Sequence, residues 1–209
     1  MKLAVICANG KAGKEIVKQG IAKGLDVTAF ARGSNKSESK KFVNKDLFDL
    51  TADDLSGFDA AADAFGAWTP ETLHQHETSL KHLCDILKGG KTRLLVVGGA
   101  GSLYLDKEGK KRLMDAPDFP EIFQPVAQAT AKGLEYLRTR NDVLWTYITP
   151  AADFQPEGER TGKYILGGEE FIVNSKGESR ISYADYAIAF IDEVINANHI
   201  GKRICVISE

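Results

Sequence analysis

The stretch MKLAVICANGKAGKEIV, residues 1–17, constrains the fold more than any other part of the chain. An apolar run, LAVIC, stops at a turn containing Gly10 and Gly13, and a helical pattern begins at once. Strand, glycine turn and helix in immediate succession open a βαβ unit of the kind that binds a dinucleotide. One glycine there lets the backbone approach the pyrophosphate, and another lets the helix pack close to the strand. Free N–H groups at the helix start, together with its dipole, favour a phosphate. Gly10 and Gly13 suit these roles, with Ala8, Asn9 and Ala12 completing the turn and Lys11 adding a charge. Cys7 stands where a further glycine is expected. On the sequence alone, Cys7 is expected to keep extended angles and pack inward as a small hydrophobe, while Asn9, which tolerates the left-handed region, takes part of the bend. A plain helix start beside a sheet is the alternative.

The remainder alternates short apolar runs with helical stretches. Strands are expected at LAVIC, DVTAFA, KFVNK, AAADAF, RLLVVGG, VLWTYIT and RICVIS, each bounded by turn residues. The first helix, GKEIVKQGIAKG, places Ile16, Val17 and Ile21 on one face and stops at Gly24. A longer helix runs from Pro70 to Leu87 with Leu73, Leu80, Leu83, Cys84 and Leu87 inward. Another begins near Pro120, with Pro125 in its first turn or at a kink. Such alternation predicts an α/β, Rossmann-like doubly wound parallel sheet with helices on both faces, and ligands at the carboxyl ends of its strands. After Pro150 the texture changes. Residues 156–180 carry many turn formers around two short strand-like pieces, and ISYADYAIAFIDEVI returns to helix with Ser182 and Asp185 spaced as a capping box. We expect a small C-terminal elaboration covering the nicotinamide end of a bound dinucleotide, within one domain spanning 1–209.

Charge and cysteine content narrow the partners. With 27 basic and 29 acidic residues the net charge is −2, and no run of like charge offers a nucleic-acid or membrane surface. A small-molecule acceptor is expected, with the chain a monomer or homodimer. The three cysteines lie far apart, which suits a reducing cytoplasm better than a disulfide framework or a zinc site. LAVICA is too short for a signal-peptide core, and no later segment is apolar over a bilayer's span. His74, His76 and His82 are not spaced to share a metal.

The second strand ends FARGSNK, about 20 residues past the glycines, where an acidic residue would bind the ribose 2′-hydroxyl of NAD and an arginine the 2′-phosphate of NADP. Arg32 holds that place, with Lys36 nearby. The position favours NADP, because a guanidinium can grip a phosphate with two parallel bonds. A solvated loop arginine is the alternative.

The segments AVICANGKAG, KDLFDL, DAAADAFGAW, LLVVGGAGSLYLD, DAPDFP, WTYITPAADFQPEGERTGKY and ISYADYAIAFIDE span nearly the whole chain. Together they resemble the atypical branch of the short-chain dehydrogenase/reductase superfamily, in particular the small NAD(P)H-binding NADH-flavin reductases and the related NmrA-like and biliverdin reductase B-like proteins. The resemblance implies that Asp46 and Leu47 lie beside the adenine. It places Ala64, Phe65 and Gly66, with Gly98 and Gly99, along the dinucleotide, and Pro150 and Ala151 at the nicotinamide. It marks Ser102, just past the fifth strand, as a candidate hydrogen-bond donor to the reacting oxygen, unless it caps a turn. Tyr104 is the companion catalytic candidate, and Arg160 and Phe154 are candidates for substrate contact, a structural ion pair being the alternative for Arg160.

One departure bears on mechanism. The dehydrogenases of that superfamily use a tyrosine with a lysine four residues on, and no Tyr-x-x-x-Lys occurs here: Tyr104 is followed at that spacing by Glu108, and Tyr136 by Arg140. Alcohol oxidation by such a dyad is not expected, and the same absence weakens an epimerase or dehydratase reading. Reduction of a flavin (FMN or FAD) or a quinone asks less of the protein, because the acceptor ring takes the hydride and solvent can supply the proton. A second reading, a non-catalytic dinucleotide-binding redox sensor of the NmrA-like type, fits the missing dyad equally.

Overall fold

A computed structural model describes residues Met1–Glu209. All seven expected strands form: β1 (Lys2–Ile6), β2 (Asp26–Ala31), β3 (Lys41–Asn44), β4 (Ala60–Asp63), β5 (Arg93–Val97), β6 (Trp145–Pro150) and, after three short strands, β10 (Lys202–Ile207). The three are β7 (Asp153–Gln155), β8 (Ile165–Gly167) and β9 (Arg180–Ser182). The sheet order is β3-β2-β1-β4-β5-β6-β10-β8, parallel throughout except for β8, which pairs antiparallel with β10 at the edge. β7 and β9 form a separate parallel pair. This is the Rossmann-like, doubly wound α/β architecture that the alternation predicts.

Side-chain alternation explains why the strands read as unbroken apolar runs. In β1, Leu3 and Val5 face the layer of α1 (Lys11–Ala22) and α5 (Tyr183–Asn196), while Ala4 and Ile6 face α3 (Gln75–Leu87) and α4 (Gln124–Arg138). Both faces are buried, so neither register can be polar. The strand order reverses between β1 and β4, and the first helix turn stands at that crevice.

Several boundaries differ from expectation, each for a local reason. α3 starts at Gln75, because residues 69–74 close turns first, Leu73 N–H donating to the Thr69 carbonyl. α4 starts at Gln124 with Pro125 in its first turn, so no kink arises. On α1, Ile21 is turned outward and Gly20 takes the buried place, because a Cβ there would already meet Val27 at 3.0 Å. Ser182 caps α5 by accepting from the Asp185 N–H at 3.0 Å, yet the capping box does not form. The fully buried Asp185 carboxylate accepts instead from the N–H groups of Thr161 and Gly162 and the Thr161 hydroxyl, and so anchors the GERTGKY segment to α5.

Candidate functional site

The turn from Cys7 to Gly10 leaves β1 and starts α1 without a side-chain cap and without an acidic residue in the first helical turn. The opening amides of α1 are therefore left to an outside acceptor, and the dipole end carries no competing negative charge. The backbone solution corrects the expectation for Cys7 and Asn9. Cys7, at φ 59, is itself in the left-handed region, and Asn9 has no positive φ. The bend falls on Cys7 because Ala8 N–H must reach the Phe30 carbonyl (3.1 Å) while Gly10 N–H returns to the Cys7 carbonyl (3.0 Å). Its thiol does pack toward the core, as expected. Burial, reinforced by the nearby Asp63 and Asp46 carboxylates, pushes it up to about 12, so it stays protonated. Gly10 adopts an ordinary φ of −70. Gly13 is needed for closeness alone: a Cβ would lie 2.6 Å from the Cys7 oxygen and 2.9 Å from the Ala8 Cα.

At the end of β2 the Arg32 side chain is 84% exposed, its Nε 3.4 Å from Asp46 across the mouth of the crevice. Asp46 also accepts from the Phe48 N–H at 2.9 Å, capping a short 3-10 turn over Leu47–Asp49. Leu47 itself packs into the core beside the α3 leucines, so only its main chain lines the crevice. The buried Ala8 and Ala151 are restricted to main-chain contact in the same way. Lys36 is exposed, and its backbone N–H donates to the Asn9 side chain at 2.8 Å.

Beyond β4 and β5 the segments Ala64–Phe65–Gly66 and Gly98–Gly99 pass over the carboxyl ends of the strands, with Pro150 ending β6 beside them. Gly98 lies flat on the Tyr147 ring, where a Cβ would come within 2.3 Å. Beneath them is a feature that the motif reading missed. Asp63, the last residue of β4, is 3% exposed and has no basic partner; its Oδ1 accepts from the Phe65 N–H at 3.0 Å. Burial raises its carboxyl to about 6. It shares a water-sized cavity of about 10 Å³ with His76, Thr130, Tyr147 and Ser79, whose buried hydroxyl has no partner. An acid ending an all-alanine strand, AAAD, was the available signal.

Ser102 and Tyr104, the two catalytic candidates, both meet the Arg203 guanidinium. Ser102 is 5% exposed, and both its hydroxyl and its carbonyl accept from the Arg203 guanidinium, at 3.0 and 2.9 Å. Tyr104 lies against the segment that follows β8, its N–H on the Glu169 carbonyl and the Arg203 guanidinium 5.3 Å from its ring centre. Arg203 lies near the start of β10, and Glu169 also meets Arg138 at the end of α4. Arg203 pairs in register with Tyr147 of β6, which stands level with Val96 of β5 and Asp63 of β4, so Arg203 and the serine it holds lie near the carboxyl ends of the strands, with the Ser102 hydroxyl buried against the guanidinium. Tyr104→Phe and Ser102→Ala are therefore expected to retain most acceptor-dependent NADPH oxidation; steady-state assays that lost nearly all turnover, with cofactor binding unchanged, would overturn this assignment.

Arg160 donates to the Gln19 side chain of α1 at 3.1 Å, which ties it to the scaffold through a neutral amide and not through an ion pair. Phe154 stacks on Tyr183 with ring centres 3.8 Å apart and on Tyr186 at 4.8 Å. This aromatic stack joins β7 to the first turn of α5 at the carboxyl end of the sheet.

A family model described as NAD(P)H-binding matches residues 7–194. The chain belongs to that NAD(P)H-binding family. It is 46% identical over 212 residues to the uncharacterized protein YwnB of Bacillus subtilis (strain 168), covering 100% of this chain and 99% of that one. A crystal structure from Streptococcus pneumoniae TIGR4, described as a "putative NADH-flavin reductase", superposes with a TM-score of 0.98 at 54% identity, each chain covered in full. Another, a "putative exported protein" from Burkholderia pseudomallei, gives 0.89 at 34% identity over 99% of both chains.

The crevice at the start of α1 is chemically suited to a dinucleotide. Its helix start has uncapped donors, its glycines sit where a Cβ would fill the cradle or strike backbone, and its flank carries the exposed Arg32. No helix is long and apolar enough to cross a membrane.

Proposed function

We propose that the chain, working as one dinucleotide-binding domain, is an NAD(P)H-dependent reductase that passes hydride to a flavin or quinone-like acceptor, with NADPH the preferred donor. Bound nicotinamide would supply the hydride. The chain's own contribution is to hold the two rings: the α1 amides with Gly10 and Gly13 take the pyrophosphate, Arg32 and Lys36 the 2′-phosphate, and residues 64–66, Gly98, Gly99 and Pro150 the path toward the reacting end. The observation that carries the reading is the engagement of the buried Ser102 hydroxyl and the Tyr104 ring with the Arg203 guanidinium. An acceptor whose own ring takes the hydride, with a proton from solvent, suits a site without a dedicated acid. The three unpaired cysteines suit a reducing cytoplasm.

The same observation favours a second reading, a redox sensor that binds the dinucleotide without turnover. Steady-state oxidation of NADPH with FMN, FAD or a quinone separates the two. Acceptor-dependent oxidation supports the reductase, and tight binding with no oxidation supports the sensor.

Cofactor choice provides a separate test. NADPH is expected to bind about 10- to 100-fold more tightly than NADH, the scale of a charge-assisted phosphate contact. Arg32→Asp should narrow or reverse that gap in isothermal titrations. Equal dissociation constants for the unmodified chain would overturn the preference.

A further inference from the structure

The side chain of Asn9 lies in the phosphate turn, yet all of its hydrogen bonds go elsewhere. Its amide nitrogen donates to the Arg32 carbonyl at 3.1 Å and the Ser34 carbonyl at 2.9 Å, and its oxygen accepts from the Lys36 N–H at 2.8 Å. Two carbonyls and one N–H fix the orientation of the amide, because each partner can play one role only. The segment it grips is a loop with few other ties to the rest of the fold. Residues 32–36 belong to no strand or helix, Gly33 has φ +75, and their side chains are mostly solvated. Apart from Asn9, the Asn44 side chain accepts from the Gly33 N–H at 2.9 Å, Asp46 meets the Arg32 Nε, and the Asn35 side chain bonds only onward along the loop, to Ser37 and to the Ser39 carbonyl, so Asn9 is the link to the glycine turn.

From this geometry we propose that Asn9 is a positioning residue for cofactor discrimination: it fastens the Arg32–Lys36 segment to the phosphate turn, so that the two phosphate-binding elements present one rigid cradle. The inference rests on the reading of the crevice as an NADPH site and adds the residue that sets its selectivity. A loop already ordered before binding avoids the loss of freedom that a loose one suffers on gripping a ligand. Only a ligand that uses the loop gains from this. NADPH, with its 2′-phosphate on Arg32 and Lys36, depends on the clamp; NADH, held mainly by the turn and α1, depends on it little.

The test uses Asn9→Ala in the full chain, with two readouts. Isothermal titration with NADPH and with NADH gives the preference ratio, and amide hydrogen exchange without cofactor reports the Lys36 N–H directly. Exchange at Lys36 is expected to quicken by at least about tenfold, NADPH affinity to fall by about tenfold, and NADH affinity to change by less than about threefold. Asn9→Ser, too short to span three partners, gives the same result should the alanine variant not fold. A preserved preference ratio despite faster exchange, or equal weakening of both cofactors, would overturn the proposal. So would unchanged exchange at Lys36. If the unmodified chain fails to bind NADPH, the cofactor reading itself falls, a result visible before any variant is made.

Discussion

Gly13→Ala is expected to weaken NADPH binding by about 100-fold and to destabilise the fold by about 3 kcal/mol. The added Cβ would stand 2.6 Å from the Cys7 carbonyl oxygen and 2.9 Å from the Ala8 Cα, both backbone atoms that no rotamer change can move. Relief requires α1 to back away from the exit of β1, and overpacking of this kind costs about 1–3 kcal/mol, at the upper end where backbone must shift. The same displacement carries the opening amides of α1 out of line with the pyrophosphate, and misplacement on the order of an ångström can cost about 100-fold. Gly10 is a useful contrast, since its nearest obstacle is the same oxygen at 3.3 Å, and Gly10→Ala should cost less. Urea unfolding and isothermal titration check both. Affinity retained within about threefold in Gly13→Ala would show that the helix start does not bind the phosphates.

The second large effect is on pH-dependent stability. Asp63 titrates near 6 in the fold because it is buried without a counter-charge, against 3.8 for an ordinary aspartate. Its folded-state affinity for a proton exceeds the unfolded one, so stability from this group is fully present below about pH 4 and is lost as the pH rises through 6. A difference of about 2 units corresponds to roughly 3 kcal/mol by pH 8. Asp63→Asn keeps an oxygen for the Phe65 N–H and removes the buried charge. It should therefore match the unmodified protein at pH 4 and exceed it by roughly 3 kcal/mol at pH 8. Urea midpoints at the two values decide the matter, and an equal difference at both would show that the carboxyl does not titrate in this range.

The strands and the first βαβ unit were legible because burial on both faces forces unbroken apolar runs, and β1, β5 and β6 carry them plainly. The glycine turn of CANGKAG and the arginine just past β2 were legible for the same reason: the turn and its place at the strand end are set by residues close by in the chain. Chain order alone put Ser102 just beyond β5, but the destination of residues 102–112 depends on Arg203, some 100 positions later, whose buried guanidinium must find acceptors and takes Ser102 and the Glu169 carbonyl. Asp185 shows the same limit, since the spacing that suggested a capping box could not reveal the N–H groups of Thr161 and Gly162 that claim its carboxylate. Cys7 is the sharpest instance. Its sequence neighbours allow extended angles, and only the demand that Ala8 reach Phe30 across the sheet turns it left-handed. By itself the sequence determined the layered α/β fold and the glycine turn that opens α1, through periodicity and local backbone chemistry. Which side chains face the crevice was decided by the tertiary structure, because buried hydrogen-bonding groups must be satisfied by partners that lie far away along the chain.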